Sequence, residues 1–371
     1  MGQAGCFLGN FLFDQDKTGD TGAVLYPHFL EKLRGRSLKF FPGMTCSMRV
    51  LILYNPLLVA RRPGHSFLPR LEAVLRAGWA AQAEQIEIAP TLSPGSASEQ
   101  AAQAVATGFD TFLVCGGDGT VFQVLQGVVG KDVALGVVPL GTGNVIAQNL
   151  GLPRNPLRAA WMLAGATPRE VTLGRLTVYP EGHENPRHWY FLIAAGMGMH
   201  ASLMNLAAIG PGKRFAGRSA YFLGGARLLL LEPMERFSLE FTTTEGVTHH
   251  HEASEAIAVH VRALNLWQPG SDWFAPSLRL AWVPRTGRAG FFRSIVTALA
   301  NRVAVGAPVE RGHPAEVRPY YEDVVSVVCT PLATEPKASR LLVEADGEVL
   351  GARRMELTVA QERIRLLFPQ I

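Results

Sequence analysis

The chain has 371 residues, 48% of them hydrophobic and 18% charged, enough to bury two cores and too apolar for a disordered segment. Thirty-five Lys and Arg against 31 Asp and Glu leave a formal net charge of +4, which gives no basis for nucleic-acid binding but is compatible with phosphates or an anionic bilayer. The four cysteines, Cys6, Cys46, Cys115 and Cys329, are far apart and show no paired metal spacing, which argues against a disulfide framework or a zinc site and for a reducing, cytoplasmic setting.

Residues 1–47 lack a basic start followed by an apolar stretch and a small-residue cleavage site, so they are expected to be a poorly ordered extension rather than a secretory signal. From Arg49 onward, short β-rich runs alternate with helical patterns. Strands are expected over Arg49–Tyr54, Gln85–Ile88, Thr111–Cys115 and Ala134–Pro139, and helices over Phe67–Ala77, Ser98–Ala106, Val121–Val129 and Pro156–Ala164. Strands separated by helices imply a doubly wound parallel sheet. This α/β domain is placed at residues 48–167, with the boundary near Pro168.

The pattern then changes. Val171–Val178, Trp189–Ala194, Phe237–Thr242, Ala256–Val261, Leu278–Val283, Val324–Cys329 and Leu341–Ala345 read as strands with few helices between them, so residues 168–371 are expected to form an antiparallel β-sandwich. Two helices interrupt it, over Arg218–Leu231 and Phe291–Val305. The second carries Phe292, Ile295, Val296, Leu299 and Val303 on one face, either a core-packing stripe or a lipid-facing surface. Apolar runs such as Leu228–Leu231 are bounded by Arg227 and Glu232 and fall short of the roughly 20 residues that span a bilayer.

Gly116, Gly117, Asp118, Gly119 and Thr120 follow a strand and precede a helix, the place where open α/β sheets bind ligands. Glycines let the backbone approach phosphate oxygens, and the helix supplies unpaired N–H groups and the positive end of its dipole. Asp118 would repel a bare phosphate, so it points to Mg²⁺ or to a hydroxyl that must be activated. A second loop, Pro139-Leu140-Gly141-Thr142-Gly143-Asn144, follows the next strand, and the two strand ends are expected to converge on one crevice. Neither loop is a Walker A motif, and no protein-kinase His-Arg-Asp set occurs.

With these loops in place the sequence resembles the diacylglycerol kinase catalytic-domain family, shared by bacterial lipid kinases, sphingosine kinases and ceramide kinases. The resemblance begins at Asn55-Pro56 and continues through Thr91 with Gly95 and Ala97, then Gly116 to Thr120, Pro139 to Asn144 and Leu150 to Pro153. It resumes at Ala195-Gly196-Met197-Gly198, a Tyr221-centred helix and Asp346-Gly347-Glu348. It implies an N-terminal α/β domain and a C-terminal β-sandwich with ATP between them. By that resemblance Asn55, Thr91, Gly116, Gly117, Asp118, Gly119, Thr120, Gly141, Thr142 and Asn144 line the ATP pocket, with Asp118 also the Mg²⁺ ligand. Either Glu348 or Asp346 would then take the proton from a diacylglycerol-like lipid hydroxyl. The enzyme would meet its lipid peripherally at the membrane surface, in phospholipid metabolism, and a homodimer is compatible with this reading.

Departures from the family pattern stand out as well. Ala275-Pro276-Ser277-Leu278-Arg279 occupies the place of an acidic accessory Mg²⁺ stretch, Val145 and Thr172 replace aspartates, Phe122 replaces an asparagine, and His200 replaces an acidic residue of sphingosine kinases. The loop after Asn55-Pro56 is Leu57-Leu58-Val59 instead of small and polar. The His249-His250-His251 run reads as a solvated loop more readily than as a metal site, and Lys213, Arg214 and Arg218 form a basic cluster suited to anionic headgroups. An NAD kinase, which shares the Gly-Gly-Asp-Gly-Thr loop, and a catalytically silent nucleotide- or lipid-binding homologue are the competing readings.

Overall fold

The structure is a computed structural model, and it describes residues 48–62, 67–80, 82–93, 95–179, 185–209, 236–262, 264, 271–303, 319–332, 341–352 and 354–370. The extension over residues 1–47, the Tyr221-centred helix and the basic cluster at Lys213, Arg214 and Arg218 lie outside the described residues.

The first half is built on four parallel strands, β1 (Met48–Tyr54), β2 (Ala83–Pro90), β3 (Thr111–Gly116) and β4 (Ala134–Pro139), in the order β2-β1-β3-β4. Every residue of β3 and β4 is buried, as expected of central parallel strands covered on both faces, which is why they read as unbroken apolar runs. The helices are α1 (Pro56–Ala60), α2 (Phe67–Trp79), α3 (Ser96–Ala106), α4 (Asp118–Val128), α5 (Val145–Asn149) and α6 (Pro156–Leu163). α2 buries Leu71, Leu75 and Trp79, spaced four apart on one face. Leu57-Leu58-Val59 is not a loop but part of α1, because Asn55 caps it and Pro56 sits at its start, where a missing N–H costs nothing.

The second half contains β5 (Thr167–Tyr179), β6 (Arg187–Phe191), β7 (Ala194–Gly198), α7 (Met199–Ile209), β8 (Phe237–Thr243), β9 (Thr248–Val259), β10 (Leu278–Pro284), α8 (Arg288–Val303), β11 (Tyr320–Pro331), β12 (Leu342–Ala345), β13 (Glu348–Ala352) and β14 (Arg354–Phe368). The long strands β9 and β11 each pair with β8 over one stretch and with β10 over another, so the antiparallel region folds over its own core. That core holds Leu239, Phe241, Leu280, Val327 and Leu357.

Two expectations are corrected. The single strand over Trp189–Ala194 is two strands, β6 and β7, separated at Leu192-Ile193, whose N–H groups turn instead to the Asp346 carboxylate. The His249-His250-His251 run is not a loop but the opening of β9, where the His249 ring stacks on Phe241 and that of His251 on Trp282, at 5.1 and 4.5 Å between centroids. In α8, among the described side chains, Phe291 and Ser294 turn inward, while Phe292 and Val296 of the expected apolar face are exposed, which disfavours the core-packing alternative for these two; Ile295, Leu299 and Val303 lie outside the described side chains.

The two halves are not hung on a linker. β14 pairs antiparallel with β5 for most of its length, then reaches β4 in parallel register at Arg365↔Ala134 and Leu366↔Leu135. The C-terminal strand therefore extends the first sheet, and the fourteen strands form one hydrogen-bonded sheet system. Phe122 of α4 is buried in the core of the antiparallel half. One turn on, Gln126 bonds both ways to the backbone of Tyr190, donating to its carbonyl at 2.8 Å and accepting from its N–H at 3.0 Å.

Candidate active site

The C-terminal ends of β1, β3 and β4 carry the site. Asn55 follows β1; its Oδ1 accepts from the N–H of Leu57 at 3.0 Å, while its Nδ2 donates to Thr120 Oγ1 at 3.3 Å. One side chain thus fixes both α1 and the first turn of α4. Thr91 sits beyond β2, with its N–H on the Tyr54 carbonyl at 2.9 Å, and the Gly95 N–H donates to Gln123 Oε1 of α4 at 3.2 Å.

The two glycine loops pack backbone to backbone. A Cβ on Gly141 would lie 2.7 Å from the Gly117 Cα, and one on Gly117 3.3 Å from the Gly141 Cα. A Cβ on Gly116 would meet Thr120 at 2.7 Å. The second loop is closed by Asn144, in the left-handed region at φ 48°, whose side chain exchanges hydrogen bonds with the N–H and C=O of Gly141 at 2.9 and 2.7 Å. Thr142, beside it, is exposed.

Asp118 joins these loops. Its carboxylate accepts from the N–H groups of Val145 at 3.0 Å and Ile146 at 3.2 Å, the first turn of α5. Burial pushes its carboxyl above the ordinary range, against the pull of these same N–H donors.

From the antiparallel half comes the β12–β13 hairpin. Ala345 pairs with Glu348, leaving Asp346 and Gly347 as a two-residue turn with φ of 49° and 86°; two consecutive positive φ values are the signature of the hairpin turn that Asp-Gly favours. The two acids of the motif separate. Asp346 turns inward, its carboxylate accepting from the N–H groups of Leu192, Ile193 and Ala194 at 2.9, 2.8 and 3.1 Å. Burial raises its carboxyl to about 7, opposed by those three donors. Glu348 turns to the glycine loop, its Oε1 only 2.5 Å from the point a Cβ on Gly119 would occupy. The structure therefore brings Glu348 onto the first turn of α4 and leaves Asp346 holding the hairpin.

The hairpin is tied down by His200, marked in the sequence only as a departure from the family pattern, and by two glutamates that motif reading missed. His200, in the first turn of α7, contacts Glu255 Oε1 of β9 through Nδ1 and lies 3.1 Å from Glu344 Oε1 of β12 through Nε2, although the latter approach is too poorly aligned for a directed hydrogen bond. Glu344 Oε2 in turn accepts from the Gly347 N–H at 2.9 Å. Burial alone would lower the imidazole, but Glu255 and then Glu344 more than offset it and raise it to about 10, so it is held as a cation between two buried carboxylates. Gly198 makes room, since a Cβ there would lie 2.8 Å from Glu255 Oε2. The available signal was a glutamate set against an apolar run, Glu255 before Ala256-Ile257-Ala258-Val259 and Glu344 between Val343 and Ala345.

The departures have structural occupants. Thr172 donates to the Trp273 carbonyl at 2.7 Å and sits 3.0 Å from His260 Nε2, and burial lowers His260 to about 4. At the accessory-metal position, Arg279 pairs with Asp323 at 2.8 Å. Among the described residues no group of three or more His, Cys, Asp or Glu is placed to hold a metal ion. Alongside α4, between the halves, lies a cavity of about 330 Å³ whose walls include Gly95, Gln123, Gln126, Trp189 and Tyr190.

The candidate site is thus a parallel α/β sheet with two glycine loops at its strand ends, faced by a carboxylate from the antiparallel half. Residues 49–176 match the diacylglycerol kinase catalytic domain. It is similar to the diacylglycerol kinase of Bacillus subtilis (strain 168), 32% identical over 193 residues, which are 50% of this chain and 58% of that one. It is also similar to the diacylglycerol kinase of Mycobacterium tuberculosis (strain ATCC 25618 / H37Rv), 39% identical over 95 residues, 25% of this chain and 29% of that one. The matched stretch thus spans between about a third and somewhat over half of these relatives. A crystal structure of a diacylglycerol kinase from Bacillus anthracis strain Sterne shares the fold, with a TM-score of 0.57 at 18% identity over 88% of this chain and 98% of that one.

Proposed function

We propose that the protein is an ATP-dependent lipid kinase that phosphorylates a hydroxyl of a diacylglycerol-like lipid. The observation that carries this is the approach of Glu348, from the antiparallel half, onto Gly119 at the start of α4. A phosphate-binding helix terminus and a carboxylate able to take a proton are the two parts that phosphoryl transfer to an alcohol requires.

The residues fit a nucleotide. The glycine loops leave backbone without side chains at the mouth of α4, and the cavity beside α4 offers flat aromatic and amide groups suited to a base. Each Asp118 oxygen accepts one backbone N–H and keeps a further lone pair, and among the described residues no group of three or more His, Cys, Asp or Glu is placed to hold a metal ion. Asp118 would therefore hold magnesium only together with the nucleotide phosphates, where the ion would offset their charge.

The chain's own part is positional. α4 and the Gly117–Gly141 contact hold the phosphates, and Asp118 keeps the two loops in register. Glu348 takes the proton as the acceptor oxygen bonds to the γ-phosphorus and the bond to the β–γ bridging oxygen breaks, releasing ADP. Among the described residues no helix is long and apolar enough to cross a membrane, so in this reading the lipid is met at the bilayer surface.

The test is incubation with labelled ATP, magnesium and a panel of diacylglycerol, ceramide and sphingosine in mixed micelles, with NAD in lipid-free buffer as a separate arm. Label transfer to a lipid supports the proposal. Transfer to NAD alone replaces it with a dinucleotide kinase, and transfer to no acceptor despite ATP binding leaves a silent homologue.

A further inference from the structure

We infer that α8 is a bilayer-docking element, its outer face seated on an anionic membrane surface beside the acceptor side of the cleft. A surface helix ordinarily turns polar groups to water and apolar groups to the core. α8 departs from this at two of its described positions. Phe291 and Ser294 face inward, whereas Phe292 and Val296, four apart, are 55% and 47% exposed. Arg288 and Arg293 lie on the same outer side.

The charge is one-sided. Arg285 is paired with Glu252 at 2.6 Å, but from residue 286 to residue 309 the sequence contains Arg288, Arg293 and Arg302 and no Asp or Glu. Arginine interleaved with phenylalanine and valine on one face is the pattern of a helix lying in the headgroup region, apolar groups at the acyl boundary and cations on anionic lipid. The same charge distribution would repel a second copy of this face. Two apolar side chains also fall well short of the roughly 800 Å² per partner of a stable protein interface.

The location supports the choice. α8 starts where β10 ends, pinned by the Arg285 N–H on the Glu252 carbonyl at 2.8 Å and the Thr286 N–H on Ser254 Oγ at 3.2 Å. Those residues adjoin Glu255, the partner of His200 in the clamp that holds the Glu348 hairpin. Docking through α8 thus anchors the molecule by the sheet end that supports the acceptor-side carboxylate.

The choice of partner rests on the lipid-kinase reading, so binding is measured without nucleotide and the two can fail separately. Full-length protein is sedimented with phosphatidylcholine vesicles, with and without phosphatidylglycerol. The parent is expected to bind the anionic vesicles and to release them at high salt. Phe292→Asp with Val296→Asp should abolish binding, and Arg293→Glu should weaken it about tenfold. Melting temperature, ATP affinity and turnover of a short-chain diacylglycerol below its aggregation limit should not change, whereas turnover of vesicle-borne lipid should fall with binding. Parent-like vesicle binding in both variants, or none by the parent, overturns the inference. So does a concentration-dependent dimer that the double variant abolishes while vesicle binding persists.

Discussion

The two halves of the molecule build their share of the site in opposite ways. On the α/β side the loops are held by backbone and by neutral or singly charged side chains: Gly117 against Gly141, Asn55 on Thr120, Asn144 on its own loop and Asp118 across to α5. On the antiparallel side the hairpin is held by buried charge, with Asp346 on three N–H groups and His200 between Glu255 and Glu344. The first arrangement rests on close approach and on one titratable group, Asp118, so acid should loosen it only by protonating that carboxylate. The second has several proton-binding groups in low dielectric, where losing a single partner is costly. The glycine loops are thus brought together by removing side chains, and the Glu348 carboxylate is aimed by fixing charged ones.

The sharpest test of the comparison is Glu348→Gln. It keeps shape and hydrogen-bonding reach but cannot take a proton, so single-turnover phosphorylation should fall by roughly 10²- to 10⁴-fold while ATP affinity by calorimetry stays near that of the parent. Asp346→Asn should instead lower the melting temperature, because its amide nitrogen would face backbone N–H donors in a buried turn. Parent-like turnover by Glu348→Gln would move the base elsewhere.

Next in size is Gly117→Val, whose branched side chain must enter the 3.3 Å space against the Gly141 backbone. ATP affinity should drop by about 10-fold or more, an overpacking cost on the order of 1–3 kcal/mol. Asp118→Asn should loosen the same loops from the other side, weakening ATP binding and rate together, since a neutral amide is a poorer acceptor for the Val145 and Ile146 N–H groups. If Asp118→Asn changes rate alone, the carboxylate has a chemical role beyond that joint.

The smallest expected effect is on pH dependence. His200 is raised from 6.5 to about 10, so the folded state binds its proton more tightly than the unfolded chain. The stability it contributes is fully present below pH 6.5 and is lost as pH rises toward 10. Melting temperatures of the parent and of His200→Gln should therefore differ most below pH 6.5 and converge on the alkaline side. A constant difference across that window would mean that the clamp is neutral.

Much of the first half was legible because its signals are local. An unbroken apolar run marks a doubly covered strand, and glycines after it mark a phosphate loop, so β3, β4 and both loops were readable within a residue or two. The hairpin turn was also readable, since Asp-Gly has few other uses between strands. What the string could not convey was which acid of Asp346-Gly347-Glu348 faces the cleft. A β-strand alternates its side chains, but the turn's handedness and the three N–H groups offered by Leu192 to Ala194, more than 150 positions away, decide the direction.

The sequence by itself determined the class of fold, the order of the parallel strands' loops and the presence of a glycine loop opening a helix, because these follow from periodicity and glycine placement over ten or so residues. Only the tertiary structure decided that β14 returns to the first sheet, that Asp118 is occupied by α5, that His200 is a buried cation and that Phe292 and Val296 face outward. Each depends on which distant backbone or carboxylate arrives alongside, and on burial that turns a modest pairing into a strong one, and neither is encoded in any local window.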